Sequence, residues 1–397
     1  IAIALFGVAF CLLQTEYSAV RRSFAMFLGA VAVNNAPDAF DRVLTQVQDI
    51  YTDPIYLIIV LSSSLCLAPL FWIYVCTLTS PSQQRPARLW RHFLLPTLAL
   101  LSGISALLAP SYLWSDVIPD DTLDAYGWWT VLLVVVALLE LAVYPQMAIY
   151  LILIVRRMMR YRHMLRDIYA STEEHELNWI YVIGGLSAVY WFGQAMFLVL
   201  AFDPEQPEPS FAFVLGAGVA SLALVAAMTL WGLRQRPPLI PDPQDPQPPE
   251  ISGDHREEKA GDKYEKSALS ADASARIARK LRAAMENDKL HRDPNLSLWV
   301  LARHIGASPN YISQTLNEAM GETFFDFVNG YRIAEAMRRL SSPDDTVLTI
   351  TYDVGFNARS SFYNAFKRVT GQTPTRYRKN LSQRDGMDDI ADGVRDI

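Results

Sequence analysis

The sequence predicts an all-α chain of two unlike parts: an N-terminal seven-helix transmembrane bundle and a C-terminal cytoplasmic tandem helix-turn-helix domain. Three observations predict it. Long apolar segments fill residues 1–233, a Pro-rich stretch follows, and residues 296–379 repeat a helical pattern at an offset of 49 to 50 residues. At 397 residues, 51% hydrophobic and 19% charged, the chain exceeds one ordinary domain and is too apolar to be wholly soluble.

A hydrocarbon layer roughly 30 Å thick needs about 20 apolar residues to cross it. Stretches of that kind run at 55–78, 91–109, 128–155, 178–202 and 210–233, and shorter ones at 1–14 and 22–36 complete seven spans. The chain opens at Ile1 without a Met, so the first span is expected to be clipped. Arginine placement orients the bundle, because cytoplasmic loops are enriched in Lys and Arg. Arg21 and Arg22, then Arg85, Arg88 and Arg91, then Arg156, Arg157, Arg160, Arg162 and Arg166 mark one side, which Arg234 and Arg236 join. The opposite loops carry Asp38, Asp41, Asp49 and Asp53, then Asp116, Asp120, Asp121 and Asp124, then Asp203, Glu205 and Glu208. The expected location is the bacterial inner membrane, with the N-terminus outside and the C-terminus in the cytoplasm.

Several chemistries are excluded. No Lys precedes Lys259, so a retinal Schiff base within the spans is impossible. No HExxH motif, paired intramembrane Asp or Ser-Lys dyad is present, and Cys11, Cys66 and Cys76 all lie in apolar spans. The expectation is therefore no catalytic residue, no metal site and no cofactor. The outstanding polar position is Glu140, mid-span, where an ionised side chain costs at least about 2.5 kcal/mol on insertion scales. Gln194, Tyr144 or Tyr190 are its expected partners, either as a structural interhelix hydrogen bond or as a sensor site for an unknown small-molecule or membrane signal. Tyr112, Trp114, Tyr126, Trp128 and Trp129 read either as an interfacial belt or as the lip of a ligand site.

From Pro237 to Pro249 the chain reads PPLIPDPQDPQPP, a semi-rigid spacer that cannot propagate a helix. The expected domains are 1–236 as the sensor bundle, 237–272 as linker, 273–380 as the DNA-binding domain with units at 296–320 and 346–370, and 381–397 as a disordered tail. Over 274–380, Lys and Arg outnumber Asp and Glu by 16 to 10, which suits a polyanion.

In the first unit Leu298, Leu301, Ala302 and Ile305 hold one helical face and end at Gly306; Val347, Ile350, Thr351 and Val354 repeat this and end at Gly355. Each glycine suits the positive φ of a tight turn. Ser308 and Pro309 read as cap and first turn of a second helix bearing Ile312 and Leu316; Phe362 and Phe366 match them. Such a helix fits a major groove about 12 Å wide. The expected base readers are Asn310, Ser313 and Gln314 in the first unit and Arg359, Ser360 and Asn364 in the second. Lys367, Arg368, Arg376 and Arg378 are expected to contact phosphate. The segment Phe324 to Leu340 reads as one helix, a ruler between the units. A preceding helix, 273–290, carries Ile277, Leu281, Ala284 and Met285 on one face, for docking on the module or for a homodimer contact.

The stretch LARHIGASPNYISQTLNEAMGETFFDFVNGYRIAEAMRRL, followed by ITYDVGFNARSSFYNAFKRVTGQTPTRYRK, resembles the AraC/XylS family of bacterial transcription regulators. The likeness covers roughly 290–380 and is similar to the subgroup that carries the module behind a membrane region. It implies that 309–320 and 359–369 lie in major grooves, and that the partners are double-stranded DNA and a lipid bilayer. Thr351 departs from the Ala usual in that family. The competing reading is a membrane receptor or transporter whose helical domain binds protein partners.

Overall fold

The computed structural model describes residues 1–14, 16–37, 57–81, 88–108, 123–200, 211–239, 269–342, 344–381 and 383. The acidic loops, most of the Pro-rich linker, and the tail beyond residue 383 lie outside them, as do Tyr112 and Trp114 of the aromatic group. The described residues are helical, with one isolated antiparallel bridge between Tyr169 and Ser297 and no named strand.

Contacts divide the chain into two compact units. The first comprises Ile1–Met159 and Leu177–Ile240; the second comprises Arg160–Glu176 and Pro241–Ile397. This division differs from the expected domains. Residues 160–176, placed by sequence inside the apolar half, pack with the C-terminal module.

The first unit contains α1 (Ala2–Leu13), α2 (Ser18–Asn34), α3 (Ser62–Leu78, entered through a π turn at Leu57–Leu61), α4 (Leu94–Leu107), α5 (Leu123–Arg166, which ends in the second unit), α6 (Asn178–Leu200) and α7 (Phe211–Arg234). Among the described residues four segments are long and apolar enough to cross a membrane: Leu57–Leu78, Thr130–Arg166, Asn178–Phe197 and Leu215–Arg234. α1, α2 and α4 are shorter. The helices pack through Leu57, Leu61, Leu65, Ala99, Leu132, Val136 and Leu139, and polar side chains pin them: Ser23 Oγ lies 2.8 Å from Thr77 Oγ1, and Gln146 Nε2 donates to Leu65 O at 2.9 Å. Where backbone partners are already paired within helices, such side-chain bonds fix register between them.

In the second unit α8 (Ala271–Glu286) is capped by Ser270, whose hydroxyl accepts from Ala273 N. α9 (Leu298–Ile305) is capped by Ser297. α10 (Pro309–Gln314) continues as a π helix over Thr315–Met320. α11 (Phe324–Leu340) is capped by Thr323, α12 (Val347–Asp353) by Thr346, and α13 (Arg359–Thr370) closes the second pair. Ser308 stands at the start of α10, but its hydroxyl makes no capping bond. The helix expected over 273–290 runs instead over Ala271–Glu286 and docks on the first helix pair, burying Leu281, Ala284 and Met285.

Two cores share one wall. Leu296, Leu298, Leu301, Ile312, Leu316, Phe324, Phe327 and Val328 build the first. Ile333, Ala336, Leu340, Ile350, Phe356, Phe362 and Phe366 build the second. The N-terminal half of α11 thus serves one unit and its C-terminal half the other.

Candidate nucleic-acid interface

Each helix pair turns on a left-handed glycine. Gly306 (φ 61°) leaves α9 in open space, whereas Gly355 (φ 100°) also presses its Cα against the backbone that precedes α9: a Cβ there would lie 2.5 Å from His291 O and 2.9 Å from Arg292 O. Only glycine meets both demands, since its missing Cβ allows positive φ and close backbone approach.

The second helices bury their apolar stripes and leave polar faces outward. On α10, Asn310 is exposed and Ser313 and Gln314 are half-buried; Gln314 donates to Glu318 Oε2 at 2.9 Å, and Asn317 donates to Ser313 Oγ at 3.3 Å. Asn317 shares this face at helical spacing with Asn310, Ser313 and Gln314, and the sequence reading passed over it. On α13, Arg359, Ser360, Asn364, Lys367 and Arg368 are all exposed. Arg359 lies over the ring of Tyr363 at 4.9 Å and donates to its hydroxyl at 3.1 Å, which holds the guanidinium at the start of the helix. Tyr363 is half-buried; burial would raise its hydroxyl, but hydrogen bonds with Thr375 and Arg359 outweigh this and hold it below the ordinary value.

The expected phosphate contacts differ among themselves. Lys367 and Arg376 are exposed. Arg368 pairs with Asp326 at 2.8 Å and lies 5.5 Å from the centre of the Phe325 ring. Arg378 turns inward, and its Nε donates to Leu340 O at the end of α11.

Along α11, where the two helix pairs meet, lies a polar joint that sequence reasoning missed. Arg332 is fully buried; its Nε donates to His291 O at 2.7 Å, and its terminal nitrogens donate to Asp293 O, Ser171 Oγ and Ala170 O. Burial lowers Arg332 to about 10, partly offset by Asp293 and Glu173, so it stays charged at neutral pH. Glu335 receives Arg292 and His291 Nε2, the latter at 2.6 Å. Burial pushes the Glu335 carboxyl upward, but these donors win and hold it below the ordinary range. For His291 the balance is opposite. Burial lowers it and outweighs the acceptors Glu335 and Met285 O. The legible signal was present but ambiguous: Asn329, Arg332 and Glu335 recur at helical spacing on α11, a pattern that elsewhere marks a solvated face.

Glu140 and Gln194, expected together, are each half-buried, on α5 and α6. A cavity of about 740 Å³ in the same unit is lined by Asn34, Tyr144, Ser187, Tyr190 and Trp191 among others, with neither Glu140 nor Gln194 in its wall.

Tandem helix pairs with two outward polar faces on a basic unit define a helix-turn-helix domain. Residues 301–380 match the family described as "Helix-turn-helix domain". The segment is similar to an uncharacterised HTH-type transcriptional regulator of Staphylococcus aureus (strain COL), 37% identical over 90 residues, covering 23% of this chain and 12% of that protein. It is also similar to the melibiose operon regulatory protein of Escherichia coli (strain K12), 29% identical over 119 residues, covering 30% of this chain and 38% of that one. A solved structure, the C-terminal domain of AraT, a response regulator from Geobacillus stearothermophilus, aligns at 25% identity and a TM-score of 0.25, covering 29% of this chain and 88% of that one. The C-terminal part thus carries a helix-turn-helix domain, and the chain spans only 12% of the length of the Staphylococcus regulators it matches.

Proposed function

We propose that this chain is a membrane-bound one-component transcription regulator, in which a seven-span unit senses a signal and the tandem helix-turn-helix module binds specific DNA. The observation that carries the reading is the pairing, in one chain, of an AraC-type module with helices long and apolar enough to cross a bilayer. Outward side chains support the membrane half: Val131, Leu138, Val189, Phe192, Leu222 and Leu230 are each more than half exposed, a surface that needs an apolar surrounding. Two hydrogen bonds support the orientation read from the arginines. Arg21 donates to Leu233 O and Arg157 to Thr79 O, each bond joining two helix ends read as lying on the cytoplasmic side. The cavity of about 740 Å³ is a candidate place for a small-molecule or membrane signal, within the usual ligand range of roughly 300–1,000 Å³.

On DNA, Asn310, Ser313, Gln314, Arg359, Ser360 and Asn364 read bases, while Lys367, Arg368 and Arg376 hold phosphate, Arg378 joining them only by leaving Leu340 O. The 17-residue helix α11 is about 25 Å long at 1.5 Å per residue, a spacer compatible with reading two major grooves about 34 Å apart. The test is selection of random duplexes on the full chain in lipid nanodiscs. Enrichment of a two-motif site is expected, with Arg359→Ala and Gln314→Ala each relaxing one motif by about 1–3 kcal/mol of discrimination. Salt-sensitive binding without enrichment would sink the reading and favour a receptor or transporter that recruits proteins.

A further inference from the structure

Residues 160–176, the last turns of α5 and most of its connection to α6, are part of the second unit, and their bonds there are specific. Ala170 N donates to Leu296 O at 3.1 Å, and Leu298 N donates to Ile168 O at 2.7 Å, flanking the antiparallel bridge of Tyr169 with Ser297. Leu298 N is the first amide of α9, one of the groups every helix leaves without an internal acceptor. The segment therefore caps α9 as a short added strand would.

Its other edge meets the joint. Ala170 O accepts from Asn329 Nδ2 at 3.1 Å and from Arg332 at 3.3 Å, and Ser171 Oγ accepts from Arg332 at 3.0 Å. Ala170, Ser171 and Thr172 are buried, and Ala170 belongs to the first core. Tyr169 lies between His175, stacked at 3.9 Å, and Trp299, met edge-on at 5.7 Å. Arg166 lies 5.6 Å from the centre of the Phe325 ring, the same ring that Arg368 of α13 approaches at 5.5 Å. Tyr161 OH donates to His175 O at 2.6 Å, and Arg162 pairs with Glu176 at 3.1 Å, which closes the segment on itself.

We infer that residues 166–172 are a docked strap, an intramolecular partner of the DNA reader whose seating places Arg332 and thereby sets how α10 and α13 are presented to the two grooves. Arg332 is a positioning residue: two of its acceptors, His291 O and Asp293 O, lie on the connection before α9, and two, Ala170 O and Ser171 Oγ, lie on the strap. A fifth, Asn329 Oδ1, lies on α11 itself, so lifting the strap removes two of the five acceptors and uncaps α9 together. On the reading of the apolar unit as a sensor, on which this part rests, the strap is the direct route of the signal, and the Pro-rich linker is a tether.

The test uses the full chain in nanodiscs and duplexes bearing the selected two-motif site or either motif alone. Ala170→Pro deletes the amide that donates to Leu296 O; Ser171→Ala is a milder companion outside the module. A third variant carries Gly/Ser residues of equal number in place of 241–268. Expected for Ala170→Pro are faster hydrogen exchange at Leu298 N–H, by about 100-fold or more, and a fall of about 10-fold or more in affinity for the two-motif site. Single-motif affinities should stay within about 2-fold, showing that the module remains folded. Ser171→Ala should move the same way by less, and the Gly/Ser variant should match the unaltered chain. The proposal is overturned if Leu298 N–H exchanges freely in the unaltered chain, if exchange rises in the variants without a change in two-motif affinity, or if only the linker variant loses affinity. Bilayer insertion is scored separately by protease protection, so a chain that fails to insert but keeps the strap dependence overturns the sensor reading and leaves the strap intact.

Discussion

The two helix-turn-helix units are built to one pattern and braced differently. The first relies on neighbours: α8 covers its core, the strap caps α9, and its reading helix relaxes into π geometry after Gln314. The second is braced largely from within, its turn at Gly355 apart, which abuts His291 O. α13 is a regular helix of 12 residues ending on left-handed Gly371, and Arg339 reaches both Asp345 at 2.6 Å and Asp353 at 2.7 Å, fastening α11 to α12. The difference teaches that repeats of one motif need not be equally responsive. A unit held by outside partners changes when they move, while a self-braced unit is a fixed reference.

The largest test of that contrast substitutes equivalent glycines. Gly355→Ala meets both the positive φ and the 2.5 Å approach to His291 O, and should cost about 3 kcal/mol or more; Gly306→Ala meets only the φ and should cost about 1 kcal/mol. Urea midpoints of the two variants check this, and equal losses would mean that the turn of the second unit is not pinned to the joint.

Acid should act on the joint before it acts on either reading face. His291 is lowered, so its neutral form contributes stability that is full above its ordinary value of 6.5 and is lost as pH falls below it toward the folded value. Glu335 is also lowered, so its share is full above the ordinary 4.5 and is lost as pH falls through the folded value. Both slopes have the same sign, and stability should decline in two stages on acidification. Glu335→Gln should abolish the lower stage; a profile without a step below 6.5 would refute the role given to His291.

The smallest effect concerns Thr351, fully buried, whose hydroxyl donates to Val347 O at 2.8 Å inside its own helix. Because that bond stays within one turn, Thr351→Ala should cost little beyond the buried methyl it removes, no more than about 1 kcal/mol. A larger loss in thermal unfolding would show that the second core depends on the hydroxyl.

Much of this was legible. The span of α11, the turns at Gly306 and Gly355, and the docking face of α8 follow from spacing alone, because burial imposes a period of 3.6 on apolar residues. The strap did not announce itself: its bonds to Leu296 and Leu298 are made by backbone atoms, which every sequence possesses. Caps at Ser297, Thr323 and Thr346 were passed over while Ser308, better placed on paper beside Pro309, makes no capping bond, since local motif and actual hydroxyl orientation are separate matters. Seven apolar segments were equally plain, yet only four reach spanning length among the described residues, because apolar runs and regular helix do not share ends: α2 stops at Asn34, and α4 runs only from Leu94 to Leu107.

The pairing of Arg368 with Asp326 carries a consequence for ionic strength. A cation leaving a DNA phosphate normally enters bulk solution, and that dilution drives association. If Arg368 swings from Asp326 to a phosphate, the exposed carboxylate it abandons must be screened in turn, so the displaced cation has a new host and the release at that contact is nearly cancelled. On the proposed DNA contacts, Asp326 would stand in for a phosphate, making the protein a weak competitor of its own DNA and suppressing attachment to arbitrary sequence more than to a site that also engages Arg359.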